Sequence, residues 1–388
     1  MSQTVDFLLA QIVAKIQLTP TKWETASQRY ETIAEYLESE GSLLSGLIQD
    51  NYPQGSVRIQ SATSSRGKDD QHDIDFITEL KRFPGDPAAT IDLLFRSLDR
   101  GPGSRYHRMC ERRNRCVTVN YADMHLDVTP AVLVPGGQYR TSRIPDARLM
   151  REIIANPEGF ACWVEDQLKR MPTPMMEMAK AAEPVDDQQP VEQKAIPLLG
   201  LQLNKRWRSI NYEGRPGRRP PSVVLTKLTI DTAAKLPRQR GILDELTLQC
   251  AGMIDIFTKL ERAGQLLHVV NPACAEDVLT DRWPSNQAAQ LLFLNDLLAY
   301  ARDLAELRAD GPIDRKKKIL ERLFGETATE RAFEEMAKRA RGDSAAGRFR
   351  HGVGNAAVIA PSIVTGAPVS SVATPRHGFY GGRKRPIR

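Results

Sequence analysis

The sequence predicts an α+β protein, a small mixed sheet with helices followed by an all-helical second lobe. Two observations carry this expectation. Between residues 56 and 128, apolar residues alternate in short runs, the period of strands. From 195 to 340 they recur every three or four residues over long stretches, the period of helices. The composition supports a real core, with 41% hydrophobic and 26% charged residues in 388, and excludes a wholly disordered chain.

The elements follow in order. Residues 4–17 and 21–39 read as helices, with Thr19 or Thr21 placed to cap the second. Trp23, Tyr30, Ile33, Tyr36 and Leu37 recur at helical spacing along it. Leu43, Leu44 and Leu47 extend a helical pattern to about Asp50, where Asn51-Tyr52-Pro53-Gln54-Gly55 breaks it. Ser56 to Gln60 alternates as a strand, and His72 to Leu80 does so again after a polar loop. A helix over about 87–100 precedes two strands, Cys116–Tyr121 and Met124–Val128, joined at Ala122-Asp123. Residues 150–170 read as helix interrupted at Pro157-Glu158-Gly159. Helices are then expected at 195–209, 221–236, 241–267, 285–309, 313–324 and 326–340, with Ser285 as a cap. The resulting domains are a core of 1–170, a proline- and acid-rich linker or surface loop at 171–194, a helical lobe at 195–340 and a flexible basic tail at 341–388.

The net charge of +6 resembles that of a nucleic-acid binder, but its distribution does not. The tail holds eight basic residues and the single acid Asp343, so the body is close to neutral. Whole-molecule attraction to a phosphate polymer, RNA included, is therefore not expected. Arg100, Arg105, Arg108, Arg112, Arg113 and Arg115 form a local exception, readable as a polyanion site or as a solvated loop. Five cysteines without C-x-x-C spacing argue against a disulfide framework or zinc ribbon and fit a reducing cytoplasm. No apolar run reaches the roughly 18 residues of a membrane helix. The N-terminal segment lacks the basic lead of a signal peptide.

The chemistry is concentrated in three acids. Asp73 and Asp75 sit two apart on a strand, so both point to one face. Asp127 lies between Leu126 and Val128 on another strand, where a carboxylate is costly unless paired. Three acids on one sheet face repel and call for cations; magnesium, hard and oxygen-seeking, suits them. Two such ions would clamp an in-line phosphoryl displacement. Upstream, Gly55-Ser56 permits close approach of backbone to a phosphate, with the hydroxyl and N–H as donors. Each feature alone also reads as ordinary: a turn, a polar strand face, an edge placement. It is their order that matches a nucleotidyltransferase.

At these residues the sequence resembles the bacterial CD-NTases, cGAS-like synthetases of second-messenger oligonucleotides or dinucleotides in the polymerase-β-like nucleotidyltransferase superfamily. The resemblance runs through Gly55-Ser56-Val57-Arg58, His72-Asp73-Ile74-Asp75-Phe76 and Tyr121 to Ala131. It continues at Ile144-Pro145-Asp146, Asn156 to Phe160 with Trp163, Gln202 to Arg208, Asn271-Pro272 and Asp281-Arg282-Trp283. Gln60-Ser61 stands where a Gly-Thr pair often follows, and Asn204 where an apolar residue is expected.

The resemblance implies an enzyme that links two or three nucleoside triphosphates (ATP, GTP, CTP or UTP) by successive nucleotidyl transfers, expels pyrophosphate each time and closes a ring. It implies two Mg²⁺ ions on Asp73 and Asp75, with Asp127 completing the site of the ion that activates the ribose hydroxyl. Gly55 and Ser56 would hold the donor's β/γ phosphates. Lys205 would add a contact from the second lobe, although Lys205 and Arg206 also read as helix-surface charges. The same resemblance implies a cytoplasmic role in CBASS anti-phage defence, with a downstream effector that responds to the product. It also allows a regulatory protein acting on the tail, where His377-Gly378-Phe379-Tyr380-Gly381-Gly382 forms an aromatic–glycine island. The rival readings are a polymerase-β-like enzyme acting on RNA or a small acceptor, and a non-catalytic binding protein on that fold.

Overall fold

The computed structural model describes residues 2–64, 72–171, 190–235, 241–345, 350–351, 357–361 and 368–373. The chain opens with α1 (Ser2–Ile16) and α2 (Pro20–Glu38), the latter capped by Thr19, whose side chain accepts from the Lys22 N–H. Next come β1 (Ile48–Gln54), a one-turn helix α3 (Gly55–Arg58), β2 (His72–Leu80) and α4 (Pro87–Leu98). Strands β3 (Cys110–Arg112), β4 (Val117–Asn120), β5 (Met124–Leu133), β6 (Ser142–Asp146) and β7 (Arg151–Ala155) complete a seven-stranded sheet before α5 (Pro157–Lys169).

The second lobe comprises α6 (Ile196–Asn211), α7 (Ser222–Ala233), α8 (Ile242–Arg262), a two-stranded ribbon of β8 (Val270–Asn271) and β9 (Cys274–Val278), α9 (Gln287–Arg308), α10 (Ile313–Phe324) and α11 (Glu326–Ala345). Three short antiparallel strands, β10 (Arg350–His351), β11 (Ala357–Pro361) and β12 (Pro368–Ala373), lie within the segment expected to be a flexible tail. The His377–Gly382 island and most of 171–194 lie outside the described residues.

The sheet runs β1-β2-β5-β4-β3, with β6 and β7 continuing from the far end of β5; only the β2–β5 pair is parallel. Its two faces separate by strand alternation. Ile74, Phe76, Leu126 and Val128 are buried on one face beneath α2 and α4. Asp73, Asp75, His125 and Asp127 therefore occupy the other.

Several expected elements are corrected. The helical pattern expected over 43–50 is not a helix: residues 43–47 form turns, and 48–54, expected in its second part as a break, is an edge strand, in which Pro53 is tolerated because β1 pairs with β2 alone. Ser56–Gln60 is not a strand: α3 takes Gly55–Arg58, and Gln60 adopts φ +57°. The front of the expected 150–170 helix is β7, paired antiparallel with β6. The 241–267 helix stops at Arg262, and α9 is capped by Asn286, which accepts from the Ala289 N–H, rather than by Ser285.

Packing also crosses the boundaries drawn along the chain. Val5, Leu8, Leu9 and Ile12 of α1, together with Phe160 and Val164 of α5, belong to the core of the helical lobe. At the centre of that lobe α6 is buried from Ile196 to Ser209, all but its last two residues. Lys205 and Arg206 are each 3% exposed, which overturns their reading as helix-surface charges. Among the described residues, no helix is long and apolar enough to cross a membrane. All five cysteines are free.

Candidate active site

Strand register builds the site. Gln54 of β1 stands opposite Asp75 of β2, Asp75 opposite Asp127 of β5, and Asp127 opposite Thr118 of β4. One transverse row thus carries two of the predicted acids on neighbouring strands, roughly 4.8 Å apart as paired strands are. Asp73 joins them from two residues along β2. Asp127 does not turn away from the other two; it lines the same cleft. Thr118 donates its hydroxyl to Asp127 Oδ1 and accepts from Arg113 Nε at 3.4 Å, which fixes the orientation of that carboxylate.

Burial and mutual repulsion set the protonation of the row. Burial, then Asp127, then Asp73 push the Asp75 carboxyl up to about 7, with Lys205 pulling the other way. Asp127 is raised too, by burial first and by Asp73, against the Thr118 hydrogen bond. Among the described residues, no three His, Cys, Asp or Glu side chains are drawn into a closed metal cage.

Gly55 begins α3 where β1 ends, beside Asp75. Its φ is +63°, and a Cβ there would lie 2.8 Å from Asp75 Oδ2. The backbone thus passes directly over the carboxylate, leaving a cradle that any side chain would fill. Ser56 follows, and its carbonyl accepts from the Ser61 N–H at 2.8 Å. Ser61 in turn accepts a 2.6 Å hydrogen bond from Lys205 Nζ. Burial brings Lys205 down to about 7. The Gln60-Ser61 departure is therefore the link between the Gly55-Ser56 turn and the second lobe.

All six predicted site residues, Gly55, Ser56, Asp73, Asp75, Asp127 and Lys205, line one cleft of about 1050 Å³ between sheet and helical lobe. Arg208, one turn beyond Lys205, lines it as well and was missed. It donates to the Pro220 carbonyl at 2.7 Å, and burial, reinforced by Arg219, lowers its pKa to about 9. The i, i+3 spacing from Lys205 was visible in the sequence, but the helix's burial was not. Asn204 does not reach the cleft; it donates to Gln249 Oε1 inside the lobe at 2.8 Å.

The arginine cluster divides. Arg100 stacks 3.8 Å over Tyr36, Arg112 pairs with Asp92, and Arg113 pairs with Glu111. Arg115 alone of the six lines the cleft, where it and Arg282 both bind the buried Asp146. The later motif segments are ties between the lobes. Asn271 Nδ2 donates to the Asn156 carbonyl at 2.8 Å, and Asp277 accepts from the Asn156 N–H at 3.0 Å.

A parallel strand pair bearing three acids, faced by a glycine-started turn and a buried lysine across a cleft, defines a nucleotidyltransferase. The comparisons specify which kind. Residues 1–167 match the Second Messenger Oligonucleotide or Dinucleotide Synthetase domain. The chain is 32% identical to a cyclic dinucleotide synthase, CdnG, of Bradyrhizobium diazoefficiens, over 98% of this chain and 95% of that protein. It is 24% identical to a c-di-GMP synthase of Roseivirga ehrenbergii over 85% of this chain and 86% of that protein. The structure of the B. diazoefficiens CD-NTase CdnG in complex with GTP superposes with a TM-score of 0.72, covering 86% of this chain and 99% of that one. Vibrio cholerae DncV, a cyclic AMP-GMP synthase at 15% identity, shares the fold with a TM-score of 0.54, covering 85% and 88%. The chain belongs to the CD-NTase family of polymerase-β-like nucleotidyltransferases.

Proposed function

We propose that the protein joins nucleoside triphosphates, GTP among them, into a cyclic dinucleotide and releases pyrophosphate at each transfer. The GTP assignment draws on the relatives that make cyclic dinucleotides and on the CdnG complex with GTP. The observation that carries the reading is the Asp75–Asp127 register with Gly55 poised over Asp75. The donor set is all oxygen, which fits Mg²⁺. Asp73 and Asp75 would hold two ions, and Asp127 would share the one nearer the attacking hydroxyl. When bound, the ions neutralise the triphosphate and make the ribose hydroxyl acidic enough to attack the α-phosphate.

The chain's own residues do the rest. Gly55 keeps the cradle open, and Ser56 offers hydroxyl and N–H donors to the β/γ phosphates. Lys205, held by Ser61, gains its full charge as an anion arrives. Thr118 keeps Asp127 in its acceptor orientation. The cyclic product, a cytoplasmic setting, an effector that reads the product in CBASS defence and a regulator acting on the tail form one consistent role. The division into a core of 1–170, whose α1 and α5 also pack into the helical lobe, and a helical lobe of 195–340 belongs to the same proposal.

Labelled nucleotides with Mg²⁺ test it. Phosphatase-resistant cyclic product from GTP, lost on adding EDTA and in the Asp73→Ala, Asp75→Ala double variant with its fold intact, is the expected result. Unchanged product in that variant would refute the site.

A further inference from the structure

Joining nucleoside triphosphates requires one cleft to hold two triphosphate chains at once. The donor's proposed cradle, Gly55-Ser56, follows β1 at one edge of the sheet, beside Asp75. The acceptor then approaches from the other end of the row, where Asp127 of β5 stands opposite Thr118 of β4. Its own 5′-triphosphate needs cations at that end.

Seven cationic side chains line the cleft, and most are already engaged. Arg115 and Arg282 bind the buried Asp146, and Arg115 also binds Asp281. Lys205 donates to Ser61, and Arg208 to the Pro220 carbonyl. Arg219 acts electrostatically on Arg208 and so belongs to the helical-lobe wall. Arg148 and Arg151 remain. Both are exposed, and neither side chain has a hydrogen-bond or ion-pair partner among the described residues. The acids beside them do not neutralise them. Asp146 is taken by Arg115 and Arg282, and Glu152 pairs with Arg143 at 3.0 Å.

The backbone under these two arginines is fixed. Asp146 and Arg151 face each other across the β6–β7 hairpin, and Ala147 to Met150 form its turn. Asp146 Oδ1 accepts from the N–H groups of Arg148 at 3.1 Å and Leu149 at 3.0 Å. Met150 adopts φ +51°, a conformation that a residue with a side chain keeps only where its surroundings impose it. The Ala147 N–H donates at 2.8 Å to the carbonyl of Asn114, in the connection between β3 and β4. The turn therefore stands at the β4 end of the row, across the sheet from Gly55-Ser56.

We propose that Arg148 and Arg151 bind the 5′-triphosphate of the acceptor nucleotide, an assignment that rests on the transfer reaction proposed above. Planar guanidinium groups on a fixed turn present paired donors to phosphate oxygens. Anchoring the acceptor there leaves its ribose hydroxyl free to reach the Asp127 side of the row.

A substrate pair with separated roles tests the assignment. 2′,3′-Dideoxy-GTP has no ribose hydroxyl to attack with and serves only as donor. Guanosine 5′-(α,β-methylene)triphosphate cannot release pyrophosphate and serves only as acceptor. An acceptor hydroxyl attacks the donor's α-phosphate, gives up its proton and expels pyrophosphate, so each turnover yields one linear dinucleotide. With Mg²⁺ and saturating donor, the Arg148→Gln, Arg151→Gln double variant should raise the acceptor KM tenfold or more and leave the donor KM unchanged. With guanosine as acceptor, which carries no phosphate, variant and wild type should react at the same rate. Arg148→Lys with Arg151→Lys should recover part of the loss. Because both arginines are exposed, the melting temperature should not move. An unchanged acceptor KM, an equal rise in the donor KM or an equal loss with guanosine would overturn the proposal while leaving the transfer reaction in place. No dinucleotide from the wild type with either acceptor would instead refute the transfer reaction, and this assignment with it.

Discussion

Gly55 shows how a single residue constrains the site. Any other residue would have to hold φ +63°, which costs about 1–2 kcal/mol for a side chain with a Cβ. It would also push the Asp75 carboxylate out of the row, since the Cβ would stand 2.8 Å from Oδ2. Gly55→Ala should therefore lower stability by about 1–2 kcal/mol in urea denaturation. It should also slow product formation by roughly a hundredfold, the scale of a misplacement of about 1 Å. A variant as stable and as fast as wild type would show that the turn does not serve the site. The Gly-Ser pair could be picked out in the sequence because only a few residue types suit a phosphate turn. Ser61, Thr118 and Arg208 could not, because each matters through a neighbour from a distant stretch of chain. Ser61 and Lys205 are 144 positions apart.

At the scale of elements, α3 is the piece whose placement decides whether Ser56 faces the cleft. Four residues cannot hold a helix alone. What anchors it is Arg58, which donates Nη2 to Glu158 Oε1 at 2.8 Å and also binds Glu165, both on α5. Arg58→Met should leave those two acids facing each other at the junction. With Arg58 about a quarter exposed, we expect a loss of about 1–2 kcal/mol, between the surface and buried limits. KM for the nucleotide should rise. The Arg58→Met, Glu158→Gln double variant should recover part of the stability, a coupling that a thermodynamic cycle reads directly.

This element also marks where sequence pattern fails. Val57 and Ile59 alternate like a strand, but the turn geometry at Gly55 and the ion pairs of Arg58 override so short a period. The β6–β7 hairpin was hidden for a similar reason. Ile153 and Ile154 are consecutive apolar residues, readable as the start of the following helix, and only the pairing of Ile144 with Ile153 makes them strand. By contrast, β2 and β5 were legible because their two faces differ sharply, acids on one and core residues on the other.

For the whole molecule, the carboxylate row couples stability to pH and to cations. Burial, Asp127 and Asp73 push the Asp75 carboxyl up to about 7, well above the ordinary carboxylate range. The folded state thus binds the proton that the unfolded state has already released, and metal-free stability falls as pH rises from about 4 through 7. Above that range Asp75 is charged beside Asp73 and Asp127, the state in which a divalent ion binds best. The rise in melting temperature on adding MgCl₂ should therefore be largest near pH 8 and shrink as pH falls through 7. Asp75→Asn removes both the proton and the charge. It should raise metal-free stability at pH 8, flatten the pH dependence and weaken the response to Mg²⁺. Differential scanning calorimetry at pH 6 and 8 with both proteins reads all of these. An equal Mg²⁺ shift at the two pH values would mean that the ion, if it binds, does so away from Asp75, and the arrangement of Asp73, Asp75 and Asp127 as its ligands would fail with it.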